Sequence, residues 1–479
     1  MTQPKTSLSL FFLLLALAVS AASGATYYVS QDSTPQPPYD AWTNAAHLIH
    51  EAVAQATSGD TVLVSNGIYR GYSMVLGGAS NVVVVTNGVR LMSLNGVPET
   101  RIDGGSSNRP VYVEGSNSLV SGFWIENGVA EEGGGGYCAN YAVISNCFAM
   151  SNSAELGGGF YLTGGGVLDG VQVYTNRSEA NGGGIYCTTG TNGLGGQIRN
   201  SDVLQNSGCR SWGSGGGIYG RDLQMENTTV SENQAVQISA DGGGVYLYGS
   251  NSWMRTCMVD GNDTGRAGGG IYARNNPLVE NCTVILNSAR ESHGGGVACN
   301  SGGRFRNSII YYNTCDRFST SNLYSFNTPE PVYDNCCIPM TTNGTGQIHA
   351  VPQYEDVFDH GYNLLATSPC MDVGTNQPWM ADATDLSGYP RIYNHIVDIG
   401  VDENAILATR TETFSGFACT WTAPREGVFR LQWSTNPVLG NSWQDWGNAK
   451  TSTGTTITFA ETNLAPRAQF YRLIWDKQP

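Results

Sequence analysis

Apolar and polar positions alternate in short runs along most of this chain, and the runs return on a beat. Between residues 131 and 313 each beat carries one word: three glycines, an apolar residue, then usually tyrosine. It reads Gly157-Gly158-Gly159-Phe160-Tyr161, then Gly182-Gly183-Gly184-Ile185-Tyr186, then Gly215-Gly216-Gly217-Ile218-Tyr219. It returns as Gly242-Gly243-Gly244-Val245-Tyr246 and Gly268-Gly269-Gly270-Ile271-Tyr272. Flanking copies end in Tyr137 and, with alanine in place of tyrosine, in Ala298. From Tyr137 to Tyr272 the steps are 24, 25, 33, 27 and 26 residues. A period of this size predicts a solenoid, in which each repeat buries its apolar face only against its neighbours. The long step predicts a loop insertion, near 190–197 or 207–213.

A second word keeps the same beat, opening and closing on turn residues. The opening position holds Asn146, Gly170, Asn200, Asn227, Thr256, Asn281 and Asn307; the closing one holds Asn152, Asn176, Asn206, Asn233, Asn262, Asn287 and Asn313. Asn and Gly tolerate the left-handed backbone of a tight corner, so short strands separated by such corners are expected. Two residues before the opening position stand Ile144, Leu168, Ile198, Met225, Met254, Val279 and Phe305. One residue before it stand Ser145, Asp169, Arg199, Glu226, Arg255, Glu280 and Arg306. The last six alternate in sign. Stacked as parallel strands ~4.8 Å apart, they place opposite charges side by side. This pattern predicts an all-β fold, a parallel β-helix with one coil per repeat. The preferred hand of parallel crossovers makes it right-handed.

Strand alternation turns the apolar residue of each glycine word inward and the tyrosine outward. Tyr137, Tyr161, Tyr186, Tyr219, Tyr246 and Tyr272 then form a strip along one face, expected to be solvent-exposed. Such a strip suits a linear glycan, whose sugar rings pack on aromatic faces. The alternative is that the tyrosines serve the sheet itself, by stacking across strands.

Residues 26–70 carry strand patterns at Thr26–Ser30 and Gly59–Val64. Between them, Trp42 to Ala56 has helical apolar spacing, with Thr43 placed to N-cap it. A helix there would cover the open end of the solenoid. The order Tyr27-Tyr28-Val29-Ser30, Trp42, then Gly59-Asp60-Thr61-Val62-Leu63-Val64-Ser65-Asn66-Gly67-Ile68-Tyr69 resembles the N-terminal cap of secreted bacterial right-handed β-helix proteins. The first coils fill 71–130. Residues 314–403 lose the glycine word. They resemble the choice-of-anchor Q domain through Ser368-Pro369-Cys370-Met371-Asp372-Val373-Gly374, Asp385-Leu386-Ser387-Gly388-Tyr389-Pro390-Arg391 and Val397-Asp398-Ile399-Gly400-Val401-Asp402-Glu403. Val401 departs from that family's usual alanine. The resemblance implies that 71–403 is one β-helix of the pectate-lyase-like superfamily. Residues 410–479 alternate apolar and polar around Trp421, Trp433 and Trp443, as in a small C-terminal β-sandwich.

Composition narrows the partners. The formal charge is −15 and the three lysines are Lys5, Lys450 and Lys477. That balance disfavours nucleic acid and anionic membranes. Residues 1–25 read as a signal peptide: Lys5, an apolar run from Leu8 to Val19 too short to span a bilayer, then small residues. The protein is therefore expected to be secreted or held at the cell surface, monomeric, with no transmembrane helix after cleavage. Cys257 and Cys282 occupy the same position in adjacent coils. They either form a disulfide or fill interior slots as reduced thiols, as Cys147, Ser201 and Thr228 do at that position. No cysteine or histidine spacing supports a metal site.

Chemistry is harder to place. A uronate lyase needs a base and cations against the carboxylate, and residues 26–403 hold no lysine. Arginine-based lyase chemistry would need calcium. Arg199, Arg255 and Arg306 are engaged in the charge ladder, leaving Arg177, Arg210, Arg221, Arg266 and Arg274 without a motif to choose among them. Glycosidase action needs two carboxylates across a groove; Glu155, Asp241 and His293 precede glycine words along one rim, where solvated side chains are the plainer reading. The expected function is binding of polysaccharides or cell-surface glycans without a catalytic motif or cofactor. The alternative is a pectate-lyase-like polysaccharide-degrading enzyme.

Overall fold

The computed structural model describes residues 24–403 except 72–73, 212, 292, 317–321, 341, 357–360, 366 and 393–394, and six strands between 409 and 476. Residues 1–23, within the expected signal peptide at 1–25, lie outside the described residues. From Thr26 to Asp334 nearly every strand pairs in parallel with its counterpart one coil away, which makes the array a parallel β-helix. One coil runs Ile185–Thr188, Gln197–Arg199, Asp202–Leu204 and Ser207–Gly208. The first strand belongs to an 11-stranded sheet, the middle two to a 20-stranded sheet folded at a corner, and the last to an 8-stranded sheet. The long step is shared between both candidate places. The links from Thr188 to Gln197 and from Gly208 to Ile218 both exceed those of the preceding coil.

The glycine word is explained position by position. Gly215 has φ +77°, which L side chains rarely adopt. A Cβ on Gly216 would lie 2.4 Å from the Gly243 carbonyl oxygen of the next coil. One on Gly217 would lie 2.8 Å from the Asn233 side chain. All seven opening residues take positive φ, from 46° at Asn227 and Asn307 to 66° at Gly170. The closing asparagines do not. The left-handed residue there is the one before: Ser151, Thr175, Gln205, Glu232, Gly261, Leu286 and Tyr312. Each closing asparagine instead turns inside. Asn233 donates from Nδ2 to Val203 O (2.8 Å), Ser231 O (3.0 Å) and Asn262 Oδ1 (3.0 Å), while its own Oδ1 accepts from Asn206. This satisfies corner groups that have no ladder partner.

The predicted register holds at every charged rung: Asp169 pairs with Arg199, Arg199 with Glu226, Glu226 with Arg255, Arg255 with Glu280 and Glu280 with Arg306. Asp334 extends the alternation. The seven apolar residues beside it are all fully buried. The attractions are uneven, however. Arg199 binds Asp169 at 3.3 Å, whereas Arg255 and Arg306 converge on Glu280 at 2.9 and 3.4 Å. Glu280 is 1% exposed, so those two arginines stand in for the water it has lost. Arg255→Glu is therefore expected to lower stability by about 2–4 kcal/mol, and Arg199→Glu by under about 1 kcal/mol. Equal melting shifts for the two variants would overturn this ordering.

The cap is less helical than its apolar spacing. Only Ile49–Val53 is α-helix, with Ile49 and Ala52 buried. Thr43 sits in a 3₁₀ turn, Trp42–Asn44, rather than at an N-cap. Ala46 breaks the helix by exchanging backbone hydrogen bonds with Tyr28 and Ser30, as part of a strand bridge.

At the other end, 366–403 folds back over the Asn281–Asn307 corner. Asn307 exchanges hydrogen bonds with Thr375 and accepts Gly400 N–H, while Asn281 donates to Asp398 O. The three motifs of this segment meet in one unit. Arg391, fully buried, donates to the carbonyls of Asp398, Gly400 and Val401; Asp385 accepts from Tyr389 and Glu403 N–H, and Asp398 from Asp372 N–H. Burial and Asp398 push Glu403 up to about 10, against the pull of Arg391. The motifs thus build a buried clasp. Beyond it, the six described strands between 409 and 476 pair as two three-stranded antiparallel sheets; Trp421 and Trp433 lie in these strands, and Trp443 falls outside the described residues.

Candidate functional site

The tyrosines stack as the register requires, with ring centroids 4.9–5.2 Å apart from Tyr137 through Tyr161, Tyr186, Tyr219 and Tyr246 to Tyr272. Tyr112, hidden in the sequence because no glycine word precedes it, joins the stack at 5.0 Å, and Arg109 closes that end over Tyr137. The expected exposure is overturned. Tyr161, Tyr246 and Tyr272 are 8%, 6% and 2% exposed, and Tyr137, Tyr186 and Tyr219 are half-buried. The cause is the stacking itself: each ring covers its neighbour's faces, and Ala267, Ala298 and Phe326 pack along the last turns. Burial pushes the Tyr137 and Tyr219 hydroxyls up to about 12. What the strip offers outward is edges and hydroxyls, not faces for a sugar ring. Tyr219→Ala is expected to lower stability by about 2–4 kcal/mol and to leave glycan retention unchanged, read by denaturant melts and affinity electrophoresis. Lost retention at unchanged stability would restore the strip as a binding face.

The arginines without a motif are mostly engaged. Arg177 pairs with Glu179 and Arg266 with Asp241, while Arg274 donates to the Tyr246 hydroxyl and shares Tyr248 with Arg221. Asp241 and His293 flank Ala267 in successive coils, but Asp241 is buried, not solvated as a rim residue was expected to be. Burial raises Asp241 to about 6 even though Arg266 pairs with it. Burial wins because the aspartate side chain is 7% exposed and the arginine 45%. A folded value above the ordinary 3.8 means the fold holds the proton more tightly. Stability from this group is full below pH ~4 and lost as pH rises to ~6, a decline on the order of 2 kcal/mol. Asp241→Asn should flatten that slope in melts across this window.

A groove of about 390 Å³ runs between the charge ladder and the 366–403 segment. Its floor is Asp169, Arg199, Glu226 and Arg255; its far wall is Trp379 and Asp382. Pro378–Asp382 forms a 3₁₀ turn started by proline and pinned by buried Met380. The three-residue period of that turn puts Trp379 and Asp382 on one side. Arg255 lies between two indoles, 4.7 Å from Trp253 and 4.9 Å from Trp379. Among the described residues, three polar groups here have no protein partner. Arg199 Nε and Trp379 Nε1 are buried donors without acceptors. Among the described residues the Glu226 carboxylate makes no ion pair or hydrogen bond, although it stands between two arginines. Both arginines already spend their charge on Asp169 and Glu280.

Across the corner, the same segment walls a cleft of about 520 Å³, lined by Tyr174, Leu204, Thr229, Glu232, Asp260 and Asp402 among others. Burial raises Asp402, which accepts from Ser387, and also Asp202 beside Thr229. The sequence reading missed both grooves, because one wall of each comes from an irregular segment.

Cys257 and Cys282 are both fully buried. Burial and the neighbouring Cys282 push the Cys257 thiol well above its ordinary value. No helix among the described residues is long and apolar enough to cross a membrane.

No family model and no curated protein matches the sequence. Among solved structures, the chain is similar to the pectate lyase Pel9A: TM-score 0.47, 14% identity, 79% of this chain and 96% of that one. It is similar to XylC in complex with xylose: TM-score 0.42, 9% identity, 94% and 100% coverage. It is also similar to the Dettilon tailspike protein: TM-score 0.39, 12% identity, 94% and 93% coverage.

Proposed function

We propose that the protein is an exported, surface-acting β-helix that binds a hydroxyl-rich, uncharged glycan in the groove between the charge ladder and the 366–403 segment. The observation that carries this reading is the set of unpartnered groups there. Buried donors without acceptors are rare in folded proteins and call for a missing partner. Arg199 Nε and Trp379 Nε1 require an acceptor, and the partly exposed Glu226 carboxylate beside them is open to a donor. A sugar hydroxyl is both donor and acceptor, so a hydroxyl-rich ligand suits both kinds of group. The same groove disfavours a uronate: Asp169, Glu226 and Asp382 face two arginines that are already paired. Binding without turnover is preferred, because the groove's arginines are engaged by acid partners, Arg199 by Asp169 and Arg255 by Glu280, and neither is left free to act as a base.

The test is a panel of neutral xylan, mannan and glucan with pectate and alginate, scored for retention and for product release, with and without chelator. Retention of a neutral polymer, without product and insensitive to chelator, is the expected result. Calcium-dependent release of unsaturated uronate products would overturn it in favour of the lyase alternative.

A further inference from the structure

Cys336 and Cys337 are adjacent in sequence but face opposite ways. Cys336 packs inside the solenoid with Cys282 and Phe305. Cys337 turns outward into a second cluster, with Ile309, Leu364, Cys370, Met371 and Ile399. Both backbones there are fixed. Cys337 N–H donates to Ser308 O (2.9 Å) and Cys337 O accepts from Ile310 N–H (2.9 Å). Cys370 O accepts from Ile399 N–H (2.9 Å), and Cys370 N–H donates to Ser368 Oγ (3.2 Å). The structure holds both as thiols. We propose that in an oxidising compartment Cys337 and Cys370 form a disulfide, which fastens the 366–403 segment to the last coil.

The bond forms by exchange with an external disulfide of the glutathione class. One cysteine thiolate attacks that disulfide, releasing one small thiol, and the second cysteine then attacks the mixed disulfide, releasing the other. Cys337 and Cys370 are oxidised, one external disulfide is reduced, and the two protons leave on the two released thiols. Both cysteines are fully buried, and contact with Cys370 together with burial pushes the Cys337 thiol far up. Thiolate attack is therefore suppressed once the segment has docked. Oxidation belongs to folding, before the clasp closes, and the finished bond resists reductant. Because this segment walls both grooves, its fastening also sets the ligand affinity; that consequence rests on the glycan reading above.

The full chain is refolded with reduced and oxidised glutathione, alkylated in denaturant, digested without reduction and mapped by mass spectrometry. A peptide pair joined through Cys337 and Cys370 is expected. Recovery of both cysteines alkylated, or linkage of Cys370 to Cys336, overturns the proposal. Cys370→Ser, or refolding under reductant, should speed limited proteolysis within 339–403 by about tenfold; unchanged proteolysis in a confirmed unlinked form would remove the fastening role. If the linkage is present but neither form retains any glycan, the binding reading fails and the disulfide stands.

Discussion

Replacing Asn233 by alanine is expected to lower stability by about 3–5 kcal/mol, more than any surface change in the coils. The side chain is fully buried and holds two neighbouring coils together. Its removal takes the acceptor from Asn206 N–H and the Asn233 donor from Val203 O and Ser231 O, while Ser231 O keeps Gln205 N–H and Asn206 Nδ2 keeps the carbonyls of Val173 and Leu204. A buried unsatisfied group costs about 1–3 kcal/mol, and water entering the void would recover part of the sum. The empty volume lies against Gly217, whose missing Cβ leaves room for the amide and nothing to refill it. Asn262 and Asn287 make the same set of bonds, so alanine there should behave alike, whereas Asn152, with one backbone carbonyl bonded, should cost less. The measurement is a denaturant melt of each variant. A ladder in which every rung costs under about 1 kcal/mol would mean that the strand pairing alone holds the corner.

The repeat, its strand register and the sign alternation of the ladder were legible because each depends on spacing alone. Position in the coil fixes which residues meet, and Ile198, Met225 and Met254 needed only strand alternation to be placed inside. Two readings failed where spacing gives direction but not surroundings. Alternation sent Tyr219 outward correctly, yet could not show that rings one coil apart would consume each other's faces. The closing asparagines were recognised as corner residues, but the left-handed residue proved to be the one before. An amide turned inward satisfies more buried groups than one spent on its own backbone conformation. The grooves were illegible for a different reason. Trp379 and Asp382 come from a segment without periodicity, and nothing in its sequence tells which coil it folds against. Its motifs could be seen as a set, but their physical content, Arg391 gripping three carbonyls, is a matter of three dimensions.

Binding should be lost, with the fold intact, when the unpartnered groups of the groove are removed. Trp379→Phe keeps the ring that covers Arg255 and deletes the Nε1–H donor alone. Glu226→Ala deletes the acceptor; Glu226→Gln keeps its size and removes the charge. A hydrogen bond to a charged group contributes about 1.5–3 kcal/mol, so Glu226→Ala should weaken retention of the neutral glycan by roughly 10- to 100-fold. Trp379→Phe should weaken it by about tenfold, and Glu226→Gln should fall between wild type and Glu226→Ala. Stability should stay within about 0.5 kcal/mol for both Glu226 variants, since no partner in the fold loses a bond. That separation distinguishes the groove from the rest of the ladder, where Glu280→Ala would strand two arginines and unfold the coil before binding could be read. Affinity electrophoresis of each variant against the retained polymer, beside a thermal melt, gives both numbers. Normal retention by the Glu226→Ala, Trp379→Phe double variant would assign the unpartnered groups to solvent and move the search to the 520 Å³ cleft across the corner.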